Sequence, residues 1–449
     1  MQDASNDTGA LLEPWLWPYG GGDADDWCEG RLLCAAAPSR SSFEGPELVP
    51  DYMTQAWPYL LAFLLVENAL LWLEGQPTLR LNDGVTSLSH GVLHQCGRLV
   101  FRGAESAAYM YIHKHWRLAD MAWDSPCTWY LAALGVDFCY YWVHRACHEV
   151  HILWAQHQVH HSSEEFNLAV GLRQSVLQEW CGFVFYLPLA LFVPPAHFLT
   201  HQQFNLLYQF WLHTKVVRSL GPLEWVFNTP QHHRVHHGCN LSYLDKNYGG
   251  VLIIWDRMFG TFAQEKDDII YGLVYNQPSF NPLFLQVFYN MNVVNKWRSM
   301  SGWQDKMAAV WKGPSWLPGK PRLGADEDKL DVKSREKYDV KLPTWCNVYL
   351  LLHFTIVVVG FQELALRHMA MSPVVVLGSV LYILLSLTSI GMLFDNHPYA
   401  CALELARCLA FSCWPLARPA GALQWLFLAS ASFWLLQMCR LLRIHVKAK

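Results

Sequence analysis

Residues 135–161 read GVDFCYYWVHRACHEVHILWAQHQVHH, and residues 228–238 read NTPQHHRVHHG. Their histidines fall into three short groups. His144 and His148 are four apart. His157, His160 and His161 stand at i, i+3 and i+4, and His233, His236 and His237 repeat that spacing. Residues three and four apart share one face of a helix, so each group presents two or three imidazoles from a single side. A closed structural zinc site takes four ligands, so eight imidazoles are too many for one. They suit a pair of metal ions with positions left open for oxygen, although imidazole by itself accepts iron, zinc, copper or nickel. The apolar, aromatic run leading into His144 makes the first group the end of a membrane helix. The fold class expected is all-α, a multi-pass transmembrane helical bundle with a cytosol-facing, histidine-rich di-metal site.

Around these groups lie residues that could complete the site. Metal-bound histidines usually donate their second ring N–H to a carboxylate or carbonyl. The nearby acids are Asp137, Glu149, Glu164, Glu165 and Asp245. Asp137 lies two turns before His144 in an apolar stretch, where an unpaired charge is costly, so it is expected to support a ligand. Glu149 follows His148 directly and is a candidate base or cofactor contact. Glu164 and Glu165 read as loop residues. His213, at the end of YQFWLHT, is a candidate ninth ligand, while His232 falls outside the spacing. His90, His94, His113, His115, His151, His197 and His201 have no matching partners and read as structural. Gly249-Gly250 suggests a tight turn near the third group.

The rest of the chain agrees with a membrane protein. Of 449 residues, 53% are hydrophobic and 16% charged, below the roughly 25% charged usual in soluble domains. The net charge of −4 gives no basic field to attract nucleic acid. The 13 cysteines contain no CxxC pair, which argues against a disulfide framework or thiolate zinc site. Stretches approaching the ~20 residues that span a bilayer occur at 52–73, which includes Glu67, and at 129–143. Residues 168–193 and 198–212 suggest a helical hairpin turned at Pro194-Pro195. Four further stretches lie at 345–366, 374–394, 401–414 and 423–439. Region 85–112 is less regular, holding His90, His94, Arg98, Arg102 and Glu105, and fits the interface or the inside of a bundle. Arg440, Arg443, Lys447 and Lys449 place the C-terminus in the cytosol. The basic segment 214–343 belongs on the same side, which requires an even number of crossings after residue 343. The expected division is an acidic, disordered tail (1–50), a hydroxylase domain (51–325), a charged linker (326–343) and C-terminal transmembrane helices (344–449).

At the histidine groups the sequence resembles the fatty acid hydroxylase/sterol desaturase superfamily, whose hallmark is HxxxH, HxxHH, HxxHH. Within it, the runs WDSP (123–126), HQVHHSSEEFNLAVGLRQSVLQ (157–178), DKNYGGVLIIWDRMFGTF (245–262) and KGPSWLPGKPRLG (312–324) resemble the alkylglycerol monooxygenase family. The resemblance implies that the metals are two iron ions, held by the eight histidines. It further implies O2 and tetrahydrobiopterin as co-reactants, and Glu149 as a residue that matters for turnover. The implied substrate is an ether lipid, hydroxylated next to its ether oxygen and so cleaved, in the endoplasmic reticulum membrane. Membrane lipids are the other partners implied; no obligate protein partner and no pterin-binding residue is legible. The alternative within the superfamily is a sterol or fatty-acid hydroxylase drawing electrons from a cytochrome. A membrane haem protein or metal transporter fits less well, because the histidines form compact groups at helix ends.

Overall fold

The computed structural model describes residues 37–101, 104–413 and 421–447. The acidic segment through residue 36, together with Arg102, Trp414 and Lys449, lies outside the described residues. Among the described residues all regular structure is helical, with two isolated bridges, Phe227 to Leu252 and Gly238 to Tyr271. Within 37–50, Ser41 and Gly45 are buried. Ser41 is buried and its hydroxyl accepts a hydrogen bond from Trp129 Nε1 at 2.8 Å.

Helix α1 (Tyr52–Leu73) is capped by Asp51, which accepts from the Thr54 backbone N–H at 3.0 Å. Its buried stripe carries Ala56, Leu60, Leu64 and Leu71, the first three packed against Leu168, Ala169 and Phe210. The other faces show Phe63, Leu65, Val66 and Trp72, as a helix against lipid should. Glu67 lies in the buried stripe. Its carboxylate accepts from the Leu168 N–H at 2.9 Å and from the Thr214 hydroxyl at 2.7 Å. The intramembrane acid therefore anchors two loops, one of them adjoining His213.

Helices α2 (Leu81–Phe101) and α3 (Ala104–Trp116) follow. Val85, Val92, Leu93 and Cys96 of α2 share one core with the C-terminal helices, which places this less regular region inside the bundle. Helix α4 (Pro126–Glu149) carries the first histidine group and α5 (His151–His161) the second. The expected hairpin of two long arms is not formed. Its first arm breaks into a 3-10 turn (Leu168–Leu172), the short α6 (Gln178–Tyr186) and a second 3-10 turn (Leu187–Leu191) containing Pro188. Only the second arm, α7 (Pro195–Trp211), is continuous. The backbone requirements of Pro188 and of the Asn167-capped turn override the apolar pattern.

Short helices α8 (Pro230–His236) and α9 (Ile254–Phe259) frame the third group, followed by α10 (Pro282–Ser299) and α11 (Trp303–Trp311). The chain closes with α12 (Thr344–Arg367), α13 (Pro373–Phe394), α14 (Ala400–Cys413) and α15 (Ala422–Lys447). Among the described residues, four helices are long and apolar enough to cross a membrane: Pro46–Leu73, Thr344–Ala370, Pro373–Phe394 and Ala422–Arg440. The described part of α14, 14 residues, covers about 21 Å of the ~30 Å hydrocarbon layer and ends where the described residues do. Three described helices of crossing length follow residue 343.

Helix α14 carries a polar knot. Arg407 Nε donates to Glu404 Oε2 at 2.8 Å, and Arg407 also donates to His353 Nδ1 at 2.8 Å. Glu404 accepts from the Ser389 hydroxyl at 2.7 Å, and His353 and Ser430 are 3.3 Å apart. One polar side chain or more thus comes from each of α12 to α15, with Glu404, Arg407, His353 and Ser389 all fully buried. Arg407→Met leaves Glu404 without its counter-charge and should destabilise the bundle by roughly 3–5 kcal/mol. Thermal unfolding in detergent checks this, with Glu404→Leu/Arg407→Met expected to recover part of the loss.

The charged segment 326–343 is a strap rather than a spacer. Arg335 donates to the Tyr271 carbonyl at 2.9 Å, Lys337 pairs with Glu165 at 2.7 Å, and the Tyr338 N–H donates to Glu164 at 2.6 Å. Arg80 donates to the Tyr338 carbonyl at 2.8 Å. Glu164 and Glu165, three and four residues beyond the second histidine group, therefore tie the strap to the site loop.

Candidate metal centre

The three histidine groups converge because the chain reverses twice. Pro126 starts α4 and the helix runs unbroken to Glu149, so His144 and His148 face one way from its last turns. Val150 is extended (φ −123°), and α5 then folds back, its start held by the His151 N–H to the Lys312 carbonyl at 2.9 Å. That reversal turns His157, His160 and His161 towards α4. Helix α8 begins at Pro230 and ends after seven residues, with His237 as its C-cap. His213 lies two residues beyond the end of α7.

Nine of the buried histidines form two groups, in each of which one ligand atom per residue lies within 4.8 Å of all the others. One holds His144, His148, His157, His161 and His236; the other holds His160, His213, His233 and His237. His213 thus lies in one group with His160, His233 and His237. His144 Nε2 and His161 Nε2 lie 3.1 and 3.2 Å from His157 Nε2. His213 Nε2 lies 3.2 Å from His160 Nε2 and 2.9 Å from His233 Nε2. Nitrogens each ~2.1 Å from one ion are separated by about this much.

Tautomers decide what these short separations mean. His144 Nδ1 donates to the Tyr248 carbonyl at 2.9 Å, His160 Nδ1 to the Arg173 carbonyl at 3.2 Å and His213 Nδ1 to the Gln209 carbonyl at 2.9 Å. His236 Nδ1 donates to the Lys246 carbonyl at 2.9 Å. A neutral imidazole has one N–H, so these bonds leave Nε2 with a lone pair. His160 and His213 therefore face lone pair to lone pair, an arrangement that a shared cation resolves and a hydrogen bond does not. His148 Nε2, His236 Nε2 and His237 Nε2 are buried without any hydrogen-bond partner, each at a cost of about 1–3 kcal/mol if nothing binds them. Burial also pushes His213 down to about 4, and His161 and His237 well below the usual histidine range. At neutral pH they are uncharged, as metal ligation requires. The donor set fits metal ions.

The supporting residues differ from expectation. Asp137 does not touch a histidine. It accepts from the Val251 N–H at 2.8 Å, the Leu252 N–H at 3.1 Å, Trp255 Nε1 at 2.9 Å and Asn205 Nδ2 at 2.8 Å. Helical spacing put it on the right helix, but its carboxylate turns to the 249–252 loop, where backbone donors outcompete an imidazole. Asp245 meets its expectation more nearly, 3.7 Å from His148 Nδ1. Glu149 is held between Arg145 at 2.8 Å and Arg322 at 2.7 Å. His232 is buried against Phe262, and His151 Nδ1 is hydrogen-bonded to the Ala309 carbonyl at 2.8 Å.

Sequence reasoning missed Asp256. It accepts from the Tyr248 N–H and the Gly249 N–H, both at 2.7 Å, and from the Thr261 hydroxyl at 2.6 Å. Asp256 and Asp137 together shape the loop whose carbonyls orient His144 and His236. In that loop the left-handed residues are Asp245 (φ 60°) and Asn247 (φ 56°), not the glycines. Asn247 earns its place by bonding the His232 carbonyl at 3.1 Å and the Ala263 carbonyl at 2.8 Å. Gly249 and Gly250 serve close approach instead. A Cβ on Gly249 would lie 2.6 Å from the Leu252 carbonyl oxygen, and one on Gly250 2.8 Å from the Tyr140 ring.

Residues 129–261 match the fatty acid hydroxylase family, and residues 346–422 match the alkylglycerol monooxygenase C-terminal domain. Alkylglycerol monooxygenase of Xenopus tropicalis is 47% identical over 83% of this chain and 84% of its own length. That of Homo sapiens is 46% identical over 85% of this chain and 86% of its own length. A more distant relative is the ornithine lipid hydroxylase OlsE of Rhizobium tropici, 32% identical over 29% of this chain and 40% of that protein. No solved structure matches.

Proposed function

The chain belongs to the alkylglycerol monooxygenase family, and on that premise we propose that it cleaves the O-alkyl bond of alkylglycerols and lyso-ether lipids. The alkyl carbon beside the ether oxygen is hydroxylated, one oxygen atom of O2 entering the C–H bond and the other leaving as water. Tetrahydrobiopterin supplies the two electrons. The hemiacetal then collapses to a fatty aldehyde and a free glycerol hydroxyl, so the cleavage itself needs no further oxidant.

The observation that carries this reading is the pair of adjoining histidine groups, five and four strong, which suits two iron ions. Bound there, the irons would supply the activation of O2. The chain's own part is positional. His144, His160, His213 and His236 are fixed in ring orientation by the carbonyls of Tyr248, Arg173, Gln209 and Lys246. A centre so oriented holds its geometry while substrate docks. The nine histidines are buried, which keeps bulk water from the reacting carbon. Glu149 is assigned to the edge of the site, where its two arginine partners hold it in position for a polar co-reactant. The active site and C-terminus are assigned to the cytosolic side of the endoplasmic reticulum membrane, which requires α14 with the residues after it to make a fourth crossing beyond residue 343; the basic residues around the site and at the C-terminus support the assignment.

Aldehyde release from an alkylglycerol, measured with and without tetrahydrobiopterin, tests the proposal. Release is expected only with the pterin. Turnover sustained by cytochrome-supplied electrons instead would assign the chain to the sterol or fatty-acid hydroxylases.

A further inference from the structure

The segment between His213 and the third histidine group is unusual for a loop. Leu220, Leu223, Trp225, Val226 and Phe227 are all exposed, Trp225 at 69% and Leu223 at 54%. Contiguous apolar surface of this kind marks a contact site rather than a solvated turn. The stretch does not stand alone. The Arg257 guanidinium lies over the Trp225 ring at 5.1 Å, and the neighbouring Met258 and Phe259 are exposed at 66% and 37%. The Phe259 ring in turn lies 5.0 Å from Trp142 and 6.3 Å from Phe138 on α4. From Phe138 the outer face of α4 continues through Leu134, Leu131 and Tyr130, all exposed. One apolar strip thus runs from the side of a long helix onto the loop that joins two parts of the metal centre.

Its charges are arranged for one kind of partner. Arg257 and, two residues before Leu220, Arg218 are exposed beside it. The acid of the turn, Glu224, faces inward, accepting from the Leu220 N–H at 2.8 Å and from the Thr229 hydroxyl at 3.3 Å. Exposed tryptophan and leucine beside arginine is the composition of a surface seated at a lipid interface, apolar residues in the acyl boundary and cations at anionic headgroups.

We propose that residues 220–227 with Met258 and Phe259 dip into the bilayer and fix the depth of the metal centre. The inference rests on the ether-lipid reading for its purpose. With the loop buried at the acyl boundary, the centre sits beside it at the level where an alkyl tail meets its glycerol headgroup. That is where the carbon to be hydroxylated lies. The strip also gives a lipid substrate a route from the membrane that does not pass through water.

The test places a photo-crosslinking phenylalanine analogue at Trp225 and, separately, at Met258 in the full chain. Each protein is reconstituted in phosphatidylcholine vesicles containing phosphatidylserine. Two sites are used so that one misfolded variant does not end the experiment. Tyr275, 69% exposed on the strap side of the molecule, is the control position. Illumination should give a phospholipid adduct by mass spectrometry at 225 and 258, and at least about tenfold less at 275, the yield ratio that would match a 1.4 kcal/mol preference for lipid contact. Absence of lipid adducts at 225 and 258, equal adducts at 275, or cross-links from 225 only to a second copy of the chain would overturn the proposal. Neither substrate nor cofactor is present, so a negative result leaves the ether-cleavage reading standing, and failure of that reading leaves the contact standing.

Discussion

His160→Ala should lower ether cleavage by more than the roughly 100-fold typical of losing a residue that merely supports a metal ligand, with membrane insertion unchanged. His160 belongs to the smaller group, of four, where each imidazole is a quarter of the donor set. Its Nε2 faces that of His213 at 3.2 Å, and its Nδ1 is already committed to the Arg173 carbonyl. Alanine removes the lone pair, and no other side chain of that group can move into its place, since His213, His233 and His237 are themselves committed. The fold should tolerate the change, because the loss of the one bond to the Arg173 carbonyl is set against the relief of facing lone pairs. Turnover by the variant near that of the parent protein would refute the ligand assignment. Carbonate extraction of membranes, with the variant retained, checks that the loss is local.

Asp256→Ala is expected to lower both bound iron and turnover by about 10–100-fold, the range for residues that orient a ligand through a second contact. Its carboxylate accepts from two consecutive backbone N–H groups, and their segment supplies the carbonyl that fixes His144. With alanine, both buried donors are stranded at roughly 1–3 kcal/mol each, and the loop must move to satisfy them. His144 then loses its fixed tautomer. Asp256→Asn keeps one accepting oxygen, so its defect should be distinctly smaller and partly recovered by raising the iron concentration. A purely structural role would predict equal iron content in the alanine and asparagine variants among the molecules that fold.

The site was more legible in the sequence than the fold. Imidazoles at i, i+3 and i+4 announce a shared helical face, because that spacing is a property of the helix alone. His213 carries no such spacing, and only the tertiary return of α7 brings it to His160 and His233. Asp137 shows the same limit from the other side. Two helical turns relate it to His144, yet whether its carboxylate meets an imidazole or the 251–252 backbone depends on a loop more than 100 residues away. Asp256 was invisible for that reason, lying in a run notable for its aromatics. Among the membrane helices, α1, α12 and α13 follow the apolar stretches closely. The stretch at 168–193 did not survive, because hydropathy registers burial in lipid and burial in protein alike. Composition reads the charged strap as a linker; contacts that composition does not carry bring Lys337 and Tyr338 to the two glutamates that follow the second histidine group.

Metal content is the most direct test of the account. The full chain, purified in detergent after expression with iron, should contain two non-haem iron ions per polypeptide and no haem absorption. His233→Ala should retain close to one, since the group of five keeps all its donors. A single tightly held zinc ion per chain, or a metal content unaffected by His233→Ala, would contradict it.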